Sequence, residues 1–165
     1  MQFLLGASAL SVFKQAKLLA SLQTICPELL AISARYIHLF DVAEPLSASD
    51  QHTLSRLLEY GEPYEKPYEE EVASDEISHF ECLVVPRLGT ISPWSSKATD
   101  ILKNCGLTQV RRVERGSLFR LCFAGTVDAT VVSALQSQLH DRMTQTVLPG
   151  VEHAAAMFVS SEPKS

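Results

Sequence analysis

The densest group of polar side chains in the sequence is Arg87, Thr90, Ser92, Ser95, Ser96 and Lys97. Ser92 stands directly before Pro93. A hydroxyl followed by proline marks a helix start, because the hydroxyl accepts from an exposed amide and proline's fixed φ suits the first helical position. Such an end carries unpaired N–H groups and the positive pole of the helix dipole, so it attracts anions. Two readings of the cluster stand. In one, the helix start meets a phosphate or a partner's carboxylate. In the other, Ser92 caps the helix and the remaining groups are solvated. Physics alone favours the second, since capping serines are common.

Other chemistry has less support. There is no GxxxxGK[ST] or GxGxxG phosphate loop, and the seven glycines are scattered at turns. A cysteine nucleophile needs a histidine relay. Cys26, Cys82, Cys105 and Cys122 form no CxxC pair and sit among apolar neighbours, so they read as buried free thiols. Cys105 precedes Gly106 at a helix end, where the dipole opposes a thiolate, and a core position is expected for it. His38, His52, His79, His140 and His153 show no HxH, HxxxH or HExxH spacing. His38, inside a strand, reads as a surface or satisfied histidine. No catalytic residue, metal or cofactor is therefore expected within this chain.

These groups need elements to hold them. Phe3 to Leu5 is a short apolar run that predicts a first strand. A helix follows, with Ser8 as the N-cap candidate and Val12, Ala16, Leu19 and Leu22 as its stripe. Pro27 stops it. Ala34 to Val42 reads as a strand. Ser47 and Asp50 form a capping pair for a helix whose stripe is Leu54, Leu57 and Leu58, closed by Gly61. Glu62 to Glu76 is acidic and broken by Pro63 and Pro67, which predicts a solvated loop. Ile77 to Val85 is a strand. Ser92 opens a helix with Trp94, Ala98, Ile101 and Cys105 on one face and Gly106 at its end. Gln109 to Glu114 and Ser117 to Phe123 read as a hairpin turning at Arg115-Gly116. Asp128 or Thr126 caps a last helix striped by Val132, Leu135, Leu139 and Met143, which would carry His140, Asp141 and Arg142. Pro149-Gly150 breaks it.

The expected order is β-α-β-α-β-α-β-β-α. That pattern predicts an α+β two-layer sandwich, helices on one face of a mostly antiparallel sheet. Strand and helix recur through both halves, which suggests an internal duplication, although the halves share no obvious sequence. A chain of 165 residues, 46% hydrophobic and 20% charged, is one globular domain. The formal net charge of -5 argues against nucleic acid or anionic membrane as partners. No apolar stretch is long enough to span a bilayer, and free thiols fit the reducing cytoplasm.

The run PRLGTISPWSSKATDILKNCGL, Pro86 to Leu107, resembles the signature near the N-terminus of the large, single-chain formylglycinamidine ribonucleotide synthases of purine biosynthesis. VRRVERG (Val110 to Gly116) is similar to that family's run after the signature helix, and LHDRMTQTV (Leu139 to Val147) to its closing helix. Leu57 to Gly61 is similar, more weakly, to the end of its second helix. The resemblance implies a ligase that uses ATP, magnesium and glutamine, with a central synthetase region and a C-terminal glutaminase region. It implies that residues 1–147 form an N-terminal domain resembling a dimer of the small accessory subunit, with residues 148–165 a linker or tail. That domain supports assembly of the synthetase and glutaminase regions without the glutaminase nucleophile or the main nucleotide site. Arg87, Thr90, Ser92, Trp94, Ser95, Ser96, Lys97 and Asp100 are then the face expected to meet the synthetase region, the helix start approaching substrate. Trp94 could equally pack in the core. The competing expectations are a free-standing accessory subunit that bridges separate synthetase and glutaminase chains, and a small independent enzyme or ligand binder.

Overall fold

A computed structural model describes residues 2–59, 77–87, 91–149 and 153–154. The acidic stretch Glu62 to Glu76, Gly61, Gly89, Thr90 and most of the expected tail lie outside the described residues. In chain order the elements are β1 (Gln2–Ser8), α1 (Val12–Gln23), β2 (Leu29–Val42), α2 (Ala48–Leu57), β3 (Ile77–Pro86), α3 (Pro93–Asn104), β4 (Val110–Ala124), α4 (Ala129–Leu139) and β5 (Gln145–Leu148).

Each helix starts where a short polar side chain can accept from its first turn. Ser11, Ser47, Ser92 and Asp128 accept from the amides of Lys14, Asp50, Ser95 and Thr130. The first cap is Ser11, not Ser8. The Ser8 hydroxyl instead donates to the Leu10 carbonyl at 2.7 Å, because β1 runs on through Ser8. At the end of α3, Gly106 adopts φ +90, a left-handed conformation that glycine enters without strain.

The five strands form one antiparallel sheet in the order β1-β2-β4-β3-β5. Alternate residues of a strand face opposite sides. Ile32, Ala34 and Phe40 of β2 pack beneath the helices, in two clusters that include Leu22 of α1, Leu54 of α2, Leu102 of α3 and Leu135 of α4. Ile37 and Leu39 face the other way and pack with Leu83, Val85 and Ala154. The molecule is thus the expected two-layer α+β sandwich with its helices on one face.

Several local expectations are corrected. There is no hairpin at Arg115-Gly116. β4 runs straight through both residues, and Gly116 pairs with Ile37 in the middle of the ladder. The last helix ends at Leu139 with His140 as its cap, and Asp141 to Thr144 lead into β5. Asp141 organises that change: its backbone carbonyl accepts from the amides of Thr144 and Gln145. The order is therefore β-α-β-α-β-α-β-α-β. Val12, Ala16, Leu57, Ile101, Cys105 and Met143, each placed on a buried stripe, are exposed. The α3 stripe rotates onto Ser95, Thr99 and Leu102, whose spacing follows the same helical period from a polar start.

Several element bounds of the two halves correspond at an offset of 81 positions, although β1 and β3 do not share it. Val12–Gln23 becomes Pro93–Asn104, and the start of β2 at Leu29 becomes the start of β4 at Val110. The caps Ser11 and Ser47 become Ser92 and Asp128. The Ala43 amide donates to the Gln109 carbonyl at 2.8 Å, and the Ala124 amide to the Glu28 carbonyl at 2.8 Å, the same bond seen from either half. The two irregularities of the β2–β4 ladder, at Leu29/Ala31 and Asp41/Val42, also exchange under this shift.

Candidate functional site

β3 pairs with β4 only from Ser117 onward. Upstream, α3 takes the place of a neighbouring strand. The Ser95 hydroxyl donates to the Val113 carbonyl at 2.5 Å, and the Thr99 hydroxyl accepts from the Val113 amide at 3.1 Å. Ser95 and Thr99 are four apart, so both hydroxyls leave one face of the helix. Both residues are buried, Ser95 completely.

The start of α3 meets a carboxylate from the same chain. The Ser92 hydroxyl donates to Glu114 Oε1 at 2.6 Å while accepting from the Ser95 amide at 3.0 Å. The Ser92 amide reaches Glu114 Oε2 at 3.5 Å, and the Arg115 amide donates to Oε1 at 3.2 Å. Arg112 completes the set with an Nη2–Oε2 contact of 3.0 Å, the two side chains being 10% and 1% exposed. A buried carboxylate with this many donors is the anion that the helix end was expected to attract. The seat is filled from within.

Beside it lies a cavity of about 320 Å³ whose lining includes Tyr36, Trp94, Glu114, Arg115, Ser117 and Gln145. The Arg115 guanidinium lies 4.4 Å from the Tyr36 ring centroid and 5.0 Å from that of Trp94, within cation–π range of both. His38, opposite Arg115 in the ladder, has its ring 5.8 Å from Trp94. It is 1% exposed, so it is a core histidine and not a surface one. Burial, reinforced by the charge of Arg115, lowers its pKa to about 4. At neutral pH the ring is uncharged.

The expected site residues separate. Ser92, Trp94 and Ser95 belong to the buried arrangement, and Trp94 is half-buried against the sheet. Ser96, Lys97 and Asp100 lie exposed on the outer side of α3. Arg87 is exposed at the end of β3, its amide donating to the Thr144 carbonyl at 3.0 Å. Thr90 lies outside the described residues. Glu114, Arg112, Arg115, Tyr36 and Thr99 were missed. The available signal was VRRVERG itself, four charged residues inside a strand pattern.

The cysteines offer no activated nucleophile in this region. Burial pushes the Cys82 thiol up to about 11 and also raises Cys26 and Cys122. Cys105 is exposed at the end of α3, not in the core. Among the described residues, no group of His, Cys, Asp and Glu could hold a metal ion, and no helix is long and apolar enough to cross a membrane. The arrangement fixes a helix against a strand and presents its outer face.

Residues 35–158 match the family described as formylglycinamide ribonucleotide amidotransferase N-terminal. The match runs from β2 through β5 and contains both α3 and the Glu114 network. With well over half of its length matched, this chain belongs to the formylglycinamide ribonucleotide amidotransferase N-terminal family.

Proposed function

We propose that the chain serves as the non-catalytic scaffold domain of phosphoribosylformylglycinamidine synthase, the ATP- and glutamine-dependent ligase of purine biosynthesis. It acts in the cytoplasm by holding the synthetase and glutaminase regions in their working arrangement. ATP and magnesium belong to the synthetase region in this reading, and the chain contributes neither. The repeat at 81 positions supports descent from a dimer of a small accessory subunit.

One observation carries the reading: the polar groups that could have served a ligand at the α3 start are consumed internally by Glu114. What α3 has left to offer is an exposed outer face with Ser96, Lys97 and Asp100. An exposed polar helix face held rigidly by a buried network is suited to docking.

The test is made in the full synthase. Changing Ser96→Ala, Lys97→Glu and Asp100→Lys together is expected to lower glutamine-dependent turnover several-fold, with the domain's own unfolding temperature unchanged. Turnover, substrate KM and region assembly all at their original values would end the docking assignment. An immunoblot of a source extract adds the size of the native polypeptide. A band several times heavier than 18.2 kDa agrees with a domain of a long synthase, and one at 18.2 kDa makes it a separate bridging subunit.

A further inference from the structure

In three of the four described helices the buried residues are apolar: Leu22 of α1, Leu54 of α2, and Val132 and Leu135 of α4. Apolar packing is therefore enough to hold a helix on this sheet. In α3 the buried residues are Ser95, Thr99 and Leu102. Both of its buried hydroxyls are spent on one residue of β4, Ser95 on the Val113 carbonyl and Thr99 on the Val113 amide.

Apolar attraction is non-directional, so by itself it leaves a helix room to slide and roll. A hydrogen bond has a distance and an angle to satisfy. The Val113 carbonyl needs a donor, and its amide needs an acceptor one helical turn further along. Moving α3 back by one residue would offer Trp94 and Ala98, and Ala98 cannot accept from the amide. Moving it on by one would offer Ser96 and Asp100, burying a carboxylate and setting Lys103 in the place of Leu102. Burying such charges costs far more than burying hydroxyls. Within α3 only Ser95 and Thr99, four apart, serve both groups of Val113 without burying a charge. The bond from Ser92 to Glu114 adds a second fixed point on the next residue of β4.

We infer that Ser95 and Thr99 are positioning residues. Their hydroxyls fix the register of α3 on β4, and with it the place of Ser96, Lys97 and Asp100 on the exposed side of the helix. Ser96 and Asp100 directly follow Ser95 and Thr99, so a slip that frees the hydroxyls also moves the exposed groups. A slip of one residue moves them about 1.5 Å along the axis and about 100° around it. The consequence for a full synthase rests on the docking role proposed above, whereas the register itself does not.

Cys105, at the end of α3, is exposed while Cys26, Cys82 and Cys122 are buried, so a nitroxide can be placed on Cys105 of the whole chain. Its relaxation enhancement of the β4 amides reads the register. Thr99→Val removes the acceptor and nearly keeps the shape, and Thr99→Ser keeps the hydroxyl. The natural pattern is expected in Thr99→Ser, and a shifted or broadened one in Thr99→Val and in Ser95→Ala. Hydrogen exchange of the Val113 amide should be several-fold faster in Thr99→Val. An unaltered pattern in both Thr99→Val and Ser95→Ala overturns the inference, because packing alone then sets the register. Loss of fold in both overturns it too, since the hydroxyls would then hold the fold and not a register within it. Loss of fold in one leaves the other to decide. In the full synthase, Thr99→Val should lower glutamine-dependent turnover several-fold with substrate KM kept, and Thr99→Ser should restore it. Turnover kept in Thr99→Val but lost in the Ser96, Lys97 and Asp100 variant overturns the positioning role. Turnover kept in both removes the docking reading instead, and the nitroxide pattern alone then judges the register.

Discussion

Glu114 shows how one residue can settle a question its neighbours pose. A serine-capped helix start attracts an anion, and the sequence around Ser92 gives no hint of where that anion comes from. The answer is 22 positions away on a strand, so no local motif reveals it. Its carboxylate is nearly solvent-free, and its charge is balanced by Arg112 and by donors from Ser92 and Arg115. Removing one member of a buried pair leaves the other desolvated without compensation, typically a cost of about 3–5 kcal/mol. Glu114→Ala is expected to destabilise the chain by that amount in urea unfolding. Ser92→Ala should cost about 2–3 kcal/mol, because it removes both the cap and a donor to the buried carboxylate. Replacing both charges, Arg112→Met with Glu114→Leu, should recover much of the loss. If Glu114→Ala cost no more than Ser92→Ala, the carboxylate would be dispensable to the fold and the helix start would again be open to an outside anion.

Among the elements, Gly116 marks the point where the sequence reading and the structure part. Arg-Gly between two apolar runs looks like a turn, yet Gly116 lies mid-strand, and a Cβ there would sit 2.9 Å from Val85 Cγ1 and 3.0 Å from the Val84 carbonyl oxygen. The glycine permits close approach of β3, a reason for glycine in strands that composition cannot separate from a turn. Gly116→Ala is therefore expected to lower stability by about 1–3 kcal/mol, the range for overpacking, against a gain below about 1 kcal/mol from the unfolded chain. Calorimetric unfolding measures it, and a neutral or stabilising result would contradict the close packing. Other boundaries were legible for local reasons. The caps at Ser47, Ser92 and Asp128 and the glycine at Gly106 act within a few residues, so their chemistry is written in sequence. β5 was not legible, because QTVL becomes a strand by pairing with Leu83 to Pro86, a long-range event. The α3 face was misassigned for a related reason. Ser95 looks solvated until the backbone of Val113 gives its hydroxyl, and that of Thr99 beside it, a buried use. The family signature was legible because it is a contiguous run, whereas the site it belongs to is assembled from β2, α3 and β4.

At the scale of the whole molecule, positions that correspond at the offset of 81 sit in different surroundings. Phe13 and Trp94 are equivalent under the 81-position shift, yet Phe13 is 76% exposed while Trp94 packs against the sheet beside His38 and Arg115. His38 comes from the first half and Trp94 from the second, so that contact spans the repeat. Protonating His38 would place a cation among Arg115 and the buried face of α3, which makes the join between halves sensitive to acid. The folded pKa is lowered from 6.5 to about 4, chiefly by burial and then by Arg115, with a backbone hydrogen bond to Leu4 acting the other way. Between those values the unfolded chain binds the proton and the folded chain does not. Stability from this group is therefore fully present above about pH 6.5 and is lost as the pH falls from there through about 4. The whole shift corresponds to about 3 kcal/mol at most, at roughly 1.4 kcal/mol per unit. Urea midpoints across this range should fall steeply in the natural chain and more shallowly in His38→Gln, which keeps a polar group of similar length but has no proton to gain. Trp94 fluorescence recorded in the same titrations should change together with unfolding. Equal slopes in the two proteins would mean that His38 already carries its proton in the folded state at mild acidity, and that carboxylates elsewhere set the acid limit of the fold.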